Sequence, residues 1–327
     1  MRFFRVFVCA VALTMVAACS DNSRPSATGS SAGSSSTSVA ASESSAALSA
    51  SCDRPHASGQ STETIDFEGA SREYELYVPR AYDGTKDVPV VFDFHGYGSN
   101  AKQQMLYGNF MPLADRDNFL VVALDGQGDG GAKHFNLGIE PRLQDDIAVT
   151  LALLDHVEDT LCIDAARVYA TGMSDGGAMS SVLACRAADR FAAFGPVAVM
   201  LFLPGCAPAR KVAIASFMGT DDPIVPFNGG KVQCCGGATV QPAADTMAKW
   251  ADFDGCDPTF DDQTVDTEVI KRVWSGCQSG GDVVFYMIQG GGHTWPGSIP
   301  VPRLGKTTTQ IDASATLWDF FKAHPLS

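Results

Sequence analysis

Two hydrophobic rhythms alternate along most of this chain. One is the short continuous run: VPVVFDFHG (88–96), NFLVVALDG (118–126), ARVYATG (166–172), AAFGPVAV (192–199), KVAIASFMG (211–219) and DVVFYMIQGGGH (282–293). These runs are rich in β-branched and aromatic residues, lack a polar face, and mostly end in glycine. That is how strands covered on both faces and leading into turns are built. REYELYV (72–78) instead alternates polar and apolar, which predicts a half-buried outer antiparallel strand. The second rhythm has helical spacing and fills segments near 101–116, 142–161, 175–188, 242–253 and 310–324. In the 142–161 segment Ile147, Leu151, Leu154 and Val157 fall on one face with acids on the other. Strand and helix alternating in this way predict an α/β fold, with a mostly parallel sheet and helices on both faces.

The N-terminus departs from this pattern. Residues 1–19 carry two arginines, Arg2 and Arg5, followed by an apolar run over 6–18, too short for a membrane span of about 20 residues but suited to a signal peptide. Val16, Ala17, Ala18 and Cys19 look like a bacterial lipobox. Cleavage there would leave Cys19 as a lipid-modified anchor to the membrane, the alternative being ordinary signal cleavage and free secretion. Residues 20–51, mostly Ser, Ala, Gly and Thr, have no apolar periodicity and read as a flexible linker. Residues 52–327 then form one catalytic-sized domain.

Composition narrows the partners and the compartment. The chain of 327 residues is 45% hydrophobic and 18% charged, enough for a substantial core. Its net charge is −14, and loss of the two signal arginines would leave −16, which argues against nucleic acid as a partner. Apart from Cys9 and Cys19 there are eight cysteines: Cys52, Cys162, Cys185, Cys206, Cys234, Cys235, Cys256 and Cys277. An even set in an exported chain predicts up to four disulfides. Cys256 with Cys277 is the favoured loop closure, and the neighbours Cys234 and Cys235 are not expected to pair with each other. No CxxC combines with a second CxxC or an HxxxH, so no metal site is expected.

Candidate chemistry sits at strand ends. GMSDG (172–176) contains GxSxG, a pattern that also occurs at Gly29, Ser31 and Gly33 inside the linker. Only Ser174 has a strand before it and a helix of small residues after it, the context that presents a nucleophile on a tight turn beside a helix N-terminus. Among the six histidines, His293 in GGGHTWPG closes the last strand run and is the chosen general base. His134 keeps a minor claim, and His95 either braces its loop or is a packed polar residue at a strand end. GTDDPIVPF offers Asp222 as the orienting acid, with Asp221 as its alternative. The order Ser, Asp, His is that of α/β-hydrolases. An oxyanion hole would use the N–H of Asp175 and, from HGYGSN, the N–H of Tyr97.

Taken together, HGYGSN, GMSDGG, GTDDPIVPF and GGGHTWPG resemble the polyhydroxybutyrate depolymerase and feruloyl-esterase-like group of secreted bacterial α/β-hydrolases, over roughly 52–325. The resemblance implies a triad of Ser174, Asp222 and His293, an oxyanion hole at Tyr97 and Asp175, and Trp295 lining the acyl site. It also implies ester hydrolysis through an acyl-serine without a cofactor. Short-chain esters, hydroxyalkanoate oligomers and feruloyl or acetyl esters of polysaccharide are the expected substrates. The segment 228–281 lacks a long apolar helix, so no large lid is expected. The alternatives are an envelope-anchored binding protein on a vestigial hydrolase scaffold and a serine peptidase.

Overall fold

The computed structural model describes residues 52–128 and 133–326. The expected signal segment with Cys19, and the linker at 20–51, lie outside the described residues. Ten strands form one sheet: β1 (Gly59–Phe67), β2 (Ala70–Val78), β3 (Val88–Phe94), β4 (Leu120–Leu124), β5 (Ile163–Met173), β6 (Ala193–Val197), β7 (Ala213–Gly219), β10 (Phe260–Asp266), β11 (Val269–Trp274) and β12 (Asp282–Ile288). Two short strands, β8 (Gly230–Lys231) and β9 (Thr239–Val240), make a separate hairpin. The sheet order is β1-β2-β4-β3-β5-β6-β7-β12-β11-β10.

From β4 to β12 every neighbouring pair is parallel, while β1 and β2 at one edge and β11 and β10 at the other run antiparallel to their neighbours. The central strands β3, β4, β6 and β7 are buried at every position, which is why their sequences show no polar alternation. Among the described residues six α-helices cover the faces: α1 (Ala101–Gly108), α2 (Met111–Asp117), α3 (Asp146–Thr160), α4 (Asp175–Arg186), α5 (Ala243–Asp254) and α6 (Ala313–Ala323). Side chains of α3, α4 and α5 share one apolar core and those of α1, α2 and α6 the other, so the sheet is sandwiched.

Several local outcomes differ from expectation for identifiable reasons. The helix expected over 101–116 is two helices, because Asn109 takes a left-handed φ of 50° and Pro112 starts the second segment. The β1 and β2 hairpin turns through Glu68 and Gly69 at φ of 49° and 81°. Positive φ at both central residues suits the right-handed strand twist. The β10–β11 hairpin extends the sheet within the segment read only as lidless, and β10 is exposed along its length.

Among the described residues four disulfides join Cys52–Cys162, Cys185–Cys206, Cys234–Cys235 and Cys256–Cys277. The last is the closure the sequence favoured. The third corrects the expectation that Cys234 and Cys235 do not pair. Adjacent Cα atoms stand only 3.8 Å apart, below the usual disulfide range. Here Cys235 adopts a φ of 55° and is followed by Gly236 and Gly237 at positive φ, so the backbone turns sharply enough to bring the neighbours together.

Helix α4 owes its small residues to closeness. A Cβ on Gly176 would stand 2.0 Å from the carbonyl oxygen of Phe94 on β3, and one on Gly177 would stand 2.6 Å from that of Val199. Backbone on both sides leaves no flexible atom to yield. Gly176→Ala is therefore expected to cost roughly 3 kcal/mol or more in denaturant unfolding; a loss under about 1 kcal/mol would show that α4 can move off the sheet.

Candidate active site

The central strands β5, β7 and β12 deliver one candidate residue each, all beyond their C-terminal ends. Strand β5 stops at Met173 and α4 starts at Asp175, leaving Ser174 alone at the turn with φ 57° and ψ −114°. A positive φ on a non-glycine residue is strained, and it persists here because both flanking elements are buried. The Ser174 N–H donates to Val197 O at 2.8 Å, pinning the turn to β6. The side chain thereby stands at the first turn of α4, where unpaired N–H groups and the helix dipole favour negative charge.

Beyond β7, Asp222 places its carboxylate out of solvent. Its Oδ1 accepts from the N–H groups of Ile224 and Val225, each at 2.8 Å. Its Oδ2 stands 2.7 Å from His293 Nδ1. The His293 side chain is only 4% exposed, and the residue's backbone N–H donates to Leu304 O at 2.7 Å. An Nδ1–H donating to this carboxylate makes Nε2 the basic nitrogen. The alternative acid, Asp221, is exposed and uses its backbone N–H to hold Gly291 O at 3.0 Å.

Ser174 and His293 line the same cleft, of about 510 Å³, together with Gly96, Tyr97 and Gly98. A Cβ on Gly96 would lie 3.4 Å from the Cβ of Ser174, so this loop passes directly by the serine. Behind it His95 is fully buried. Its Nδ1 lies 2.8 Å from Gly96 O and its Nε2 accepts from Gly126 N–H at 2.8 Å. Burial pushes the imidazole pKa down, favouring the neutral ring that these two bonds require. Of the two readings of His95, these contacts fit the loop brace. His134 pairs with Glu140 at 3.0 Å and packs its ring beside Tyr97.

Trp295 corrects an expectation. It is 1% exposed and absent from the cleft surface. Its Nε1 donates to Ser314 Oγ at 2.9 Å and its ring meets Phe110 edge-on. It therefore packs in the α1, α2 and α6 core, reaching the cleft indirectly through a backbone N–H to the Tyr107 hydroxyl at 3.3 Å. An aromatic in a Pro-Gly loop reads the same in sequence whether it faces ligand or core.

Two buried acids beside the cleft were not singled out for their titration. Asp93, inside β3, receives Gln104 Nε2 at 2.8 Å, and burial raises its pKa well above the carboxylate range. Asp175 Oδ2 accepts from Phe135 N–H at 2.8 Å. Burial pushes it up to about 6, with that hydrogen bond opposing the rise. Among the described residues, Cys52, Asp87 and Cys162 come close enough to share a metal ion, but the two cysteines are joined to each other.

The comparisons with known proteins point the same way. No family profile matches the chain. Feruloyl esterase B of Piromyces equi is 30% identical over 222 residues, 66% of this chain but only 41% of that protein. Feruloyl esterase C of Emericella nidulans is 29% identical over 261 residues, 77% of this chain and 84% of that protein. Among solved structures, acetyl xylan esterase from Aspergillus awamori superimposes with a TM-score of 0.57 at 14% identity, covering 80% of this chain and 99% of that one, a likeness of fold.

The Asp175 carboxyl sets a pH dependence. Its folded pKa lies above the ordinary value of 3.8, so between those values the folded protein holds a proton the unfolded chain has lost. Its contribution to stability falls as pH rises from about 4 to about 6 and is constant beyond. Asp175→Asn removes that slope. Its stability relative to the parent is expected to rise by about 3 kcal/mol across the window in urea titrations; parallel pH curves would show that Asp175 is ionised throughout.

Proposed function

We propose that this chain, one of the feruloyl-esterase-like α/β-hydrolases, cleaves carboxylic esters through an acyl intermediate on Ser174. The observation that carries the proposal is the 2.7 Å contact of His293 with the buried Asp222, made by an imidazole that borders the same cleft as Ser174. In this mechanism His293 Nε2 takes the proton as Ser174 Oγ attacks the ester carbonyl. The carboxylate of Asp222 stabilises the imidazolium and fixes its tautomer. Negative charge on the carbonyl oxygen is met by the N–H groups of Tyr97 and Asp175, worth about 3 to 4 kcal/mol each in comparable sites. Collapse expels the alcohol, which takes the proton from His293. Water then repeats the sequence to release the acid. No cofactor takes part in any step.

The substrate class is an ester with an extended apolar portion. Of the six large apolar side chains exposed among the described residues, Tyr97 at 43%, Leu106 at 60% and Ile299 at 64% all line this one cleft. Such a rim favours a feruloyl, hydroxyalkanoate or comparable ester over a strongly hydrated one. Four disulfides fit folding in an oxidising compartment. We place the domain outside the cytoplasm, held to the envelope by lipid on Cys19 or freely secreted. No helix among the described residues is long and apolar enough to cross a membrane.

The test is kinetic. Ser174→Ala is expected to lower kcat on p-nitrophenyl butyrate by about 10⁵-fold or more, and Asp222→Asn by about 10⁴-fold with KM little changed. Full turnover by the Ser174→Ala protein would overturn the proposal. No turnover of any ester by the parent protein would favour the binding-protein alternative.

A further inference from the structure

The pairing of Cys234 with Cys235 has a second consequence, because both residues line the cleft that holds Ser174 and His293. Three long-range or loop-closing disulfides already account for the other six cysteines of the domain. The adjacent pair is thus left to itself at the tip of the β8–β9 hairpin. It closes a small ring containing one peptide bond, so the two sulfur atoms present a fixed, polarisable surface with little hydrogen-bonding capacity. A stability role alone does not call for this placement, since a loop of two residues restricts the unfolded chain far less than the long closures do.

The hairpin is also fastened to the acid loop. The Gln233 N–H donates to Ile224 O at 2.8 Å, and the Ile224 N–H donates to Asp222 Oδ1 at 2.8 Å. Within the tip, Gly237 N–H donates to Cys234 O and Val232 N–H to Ala238 O, each at 2.8 Å. The sulfur surface is therefore held by the same backbone that positions the acid paired with His293. Ile224, tied to the hairpin through Gln233, lines the same cleft, as do Met173 and the rings of Tyr97 and Tyr107.

Resting on the esterase proposal and deepening it, we infer that the Cys234–Cys235 disulfide is a specificity-determining surface against which the aromatic ring of an aryl-acid ester packs. Sulfur in contact with a ring edge or face gives a favourable interaction that an alkyl chain of equal area lacks. A short acetyl group carries no ring to make this contact, so it serves as the reference substrate. A cleft of about 510 Å³ has room for a substituted aromatic acid along with part of its alcohol.

The experiment compares methyl ferulate with p-nitrophenyl acetate on the full chain, using the parent and the double variants Cys234→Ala/Cys235→Ala and Cys234→Ser/Cys235→Ser. The ratio of kcat/KM for ferulate to that for acetate is expected to fall about tenfold in both variants, mainly through KM for ferulate. An unchanged ratio, whether neither ester is affected or both lose equally, would assign the pair a structural role only and overturn the inference.

Two measurements keep the test independent of how well those variants fold. In the otherwise unmodified Ser174→Ala protein, a crystal structure with methyl ferulate should place the ring within about 4.5 Å of Cys234 or Cys235 Sγ. A ring bound elsewhere in the cleft contradicts the inference. Peptide mapping of the parent without reductant should show the segment holding both cysteines resistant to alkylation and lighter by two hydrogens than its reduced form. Free alkylation there would remove the premise. Failure of the esterase proposal itself is separately visible as no turnover of either ester by the parent.

Discussion

Everything at the centre of this molecule depends on the parallel pairing of β7 with β12, which aligns Gly219 with Ile288 and so brings two distant loops side by side. From that register the Thr220 N–H reaches Ile288 O at 2.9 Å, the Gly290 N–H reaches Thr220 Oγ1 at 2.8 Å and the Asp221 N–H reaches Gly291 O at 3.0 Å. A Cβ on Gly219 would stand 2.2 Å from Gly291 O, a measure of how tightly the loops meet. Only with the two backbones so fastened can a fully buried carboxylate rest 2.7 Å from an imidazole nitrogen without water between them. In a dry setting such a contact fixes both tautomer and orientation.

The serine is presented by an equally crowded arrangement on the neighbouring strands. Its positive φ, the glycine helix start pressed on β3 and the loop at Gly96 leave the turn no room to relax. Strain of this kind is sustained by the buried elements around it, and it keeps the hydroxyl at a helix N-terminus where charge can develop. Around this rigid centre the cleft is lined mostly by apolar groups and, among the described residues, by no carboxylate, in a protein with a net charge of −14. Recognition in it therefore rests on shape and dispersion more than on long-range attraction.

Much of this was legible in the chain itself, and the reasons are physical. Strands buried on both faces must be continuous apolar runs, so the six central strands could be read directly, though not their order in the sheet. A nucleophile on a strand-to-helix turn needs a strand before it and a helix after it, which separated Ser174 from the identical glycine pattern at Ser31. Less local facts were not legible. Whether Trp295 faces ligand or core depends on where α1 and α2 pack, and its sequence context is the same in both cases. The β1 strand is short of apolar residues because its outer face is in water, although Glu68–Gly69 between alternating runs carried a hairpin signal that could have been used. Pairing of Cys234 with Cys235 required a left-handed residue at a non-glycine position, which the following glycines hint at but do not dictate.

The central claim is that the Ser174 hydroxyl becomes an acylating nucleophile through His293. It is tested most directly by treating the folded protein with a fluorophosphonate and locating the adduct by peptide mass spectrometry. A single phosphonylated residue at Ser174, abolished by unfolding the protein and formed far more slowly when His293 is replaced by Ala, is the expected result. A folded protein that takes up no label, or takes it up at another serine, would contradict the claim.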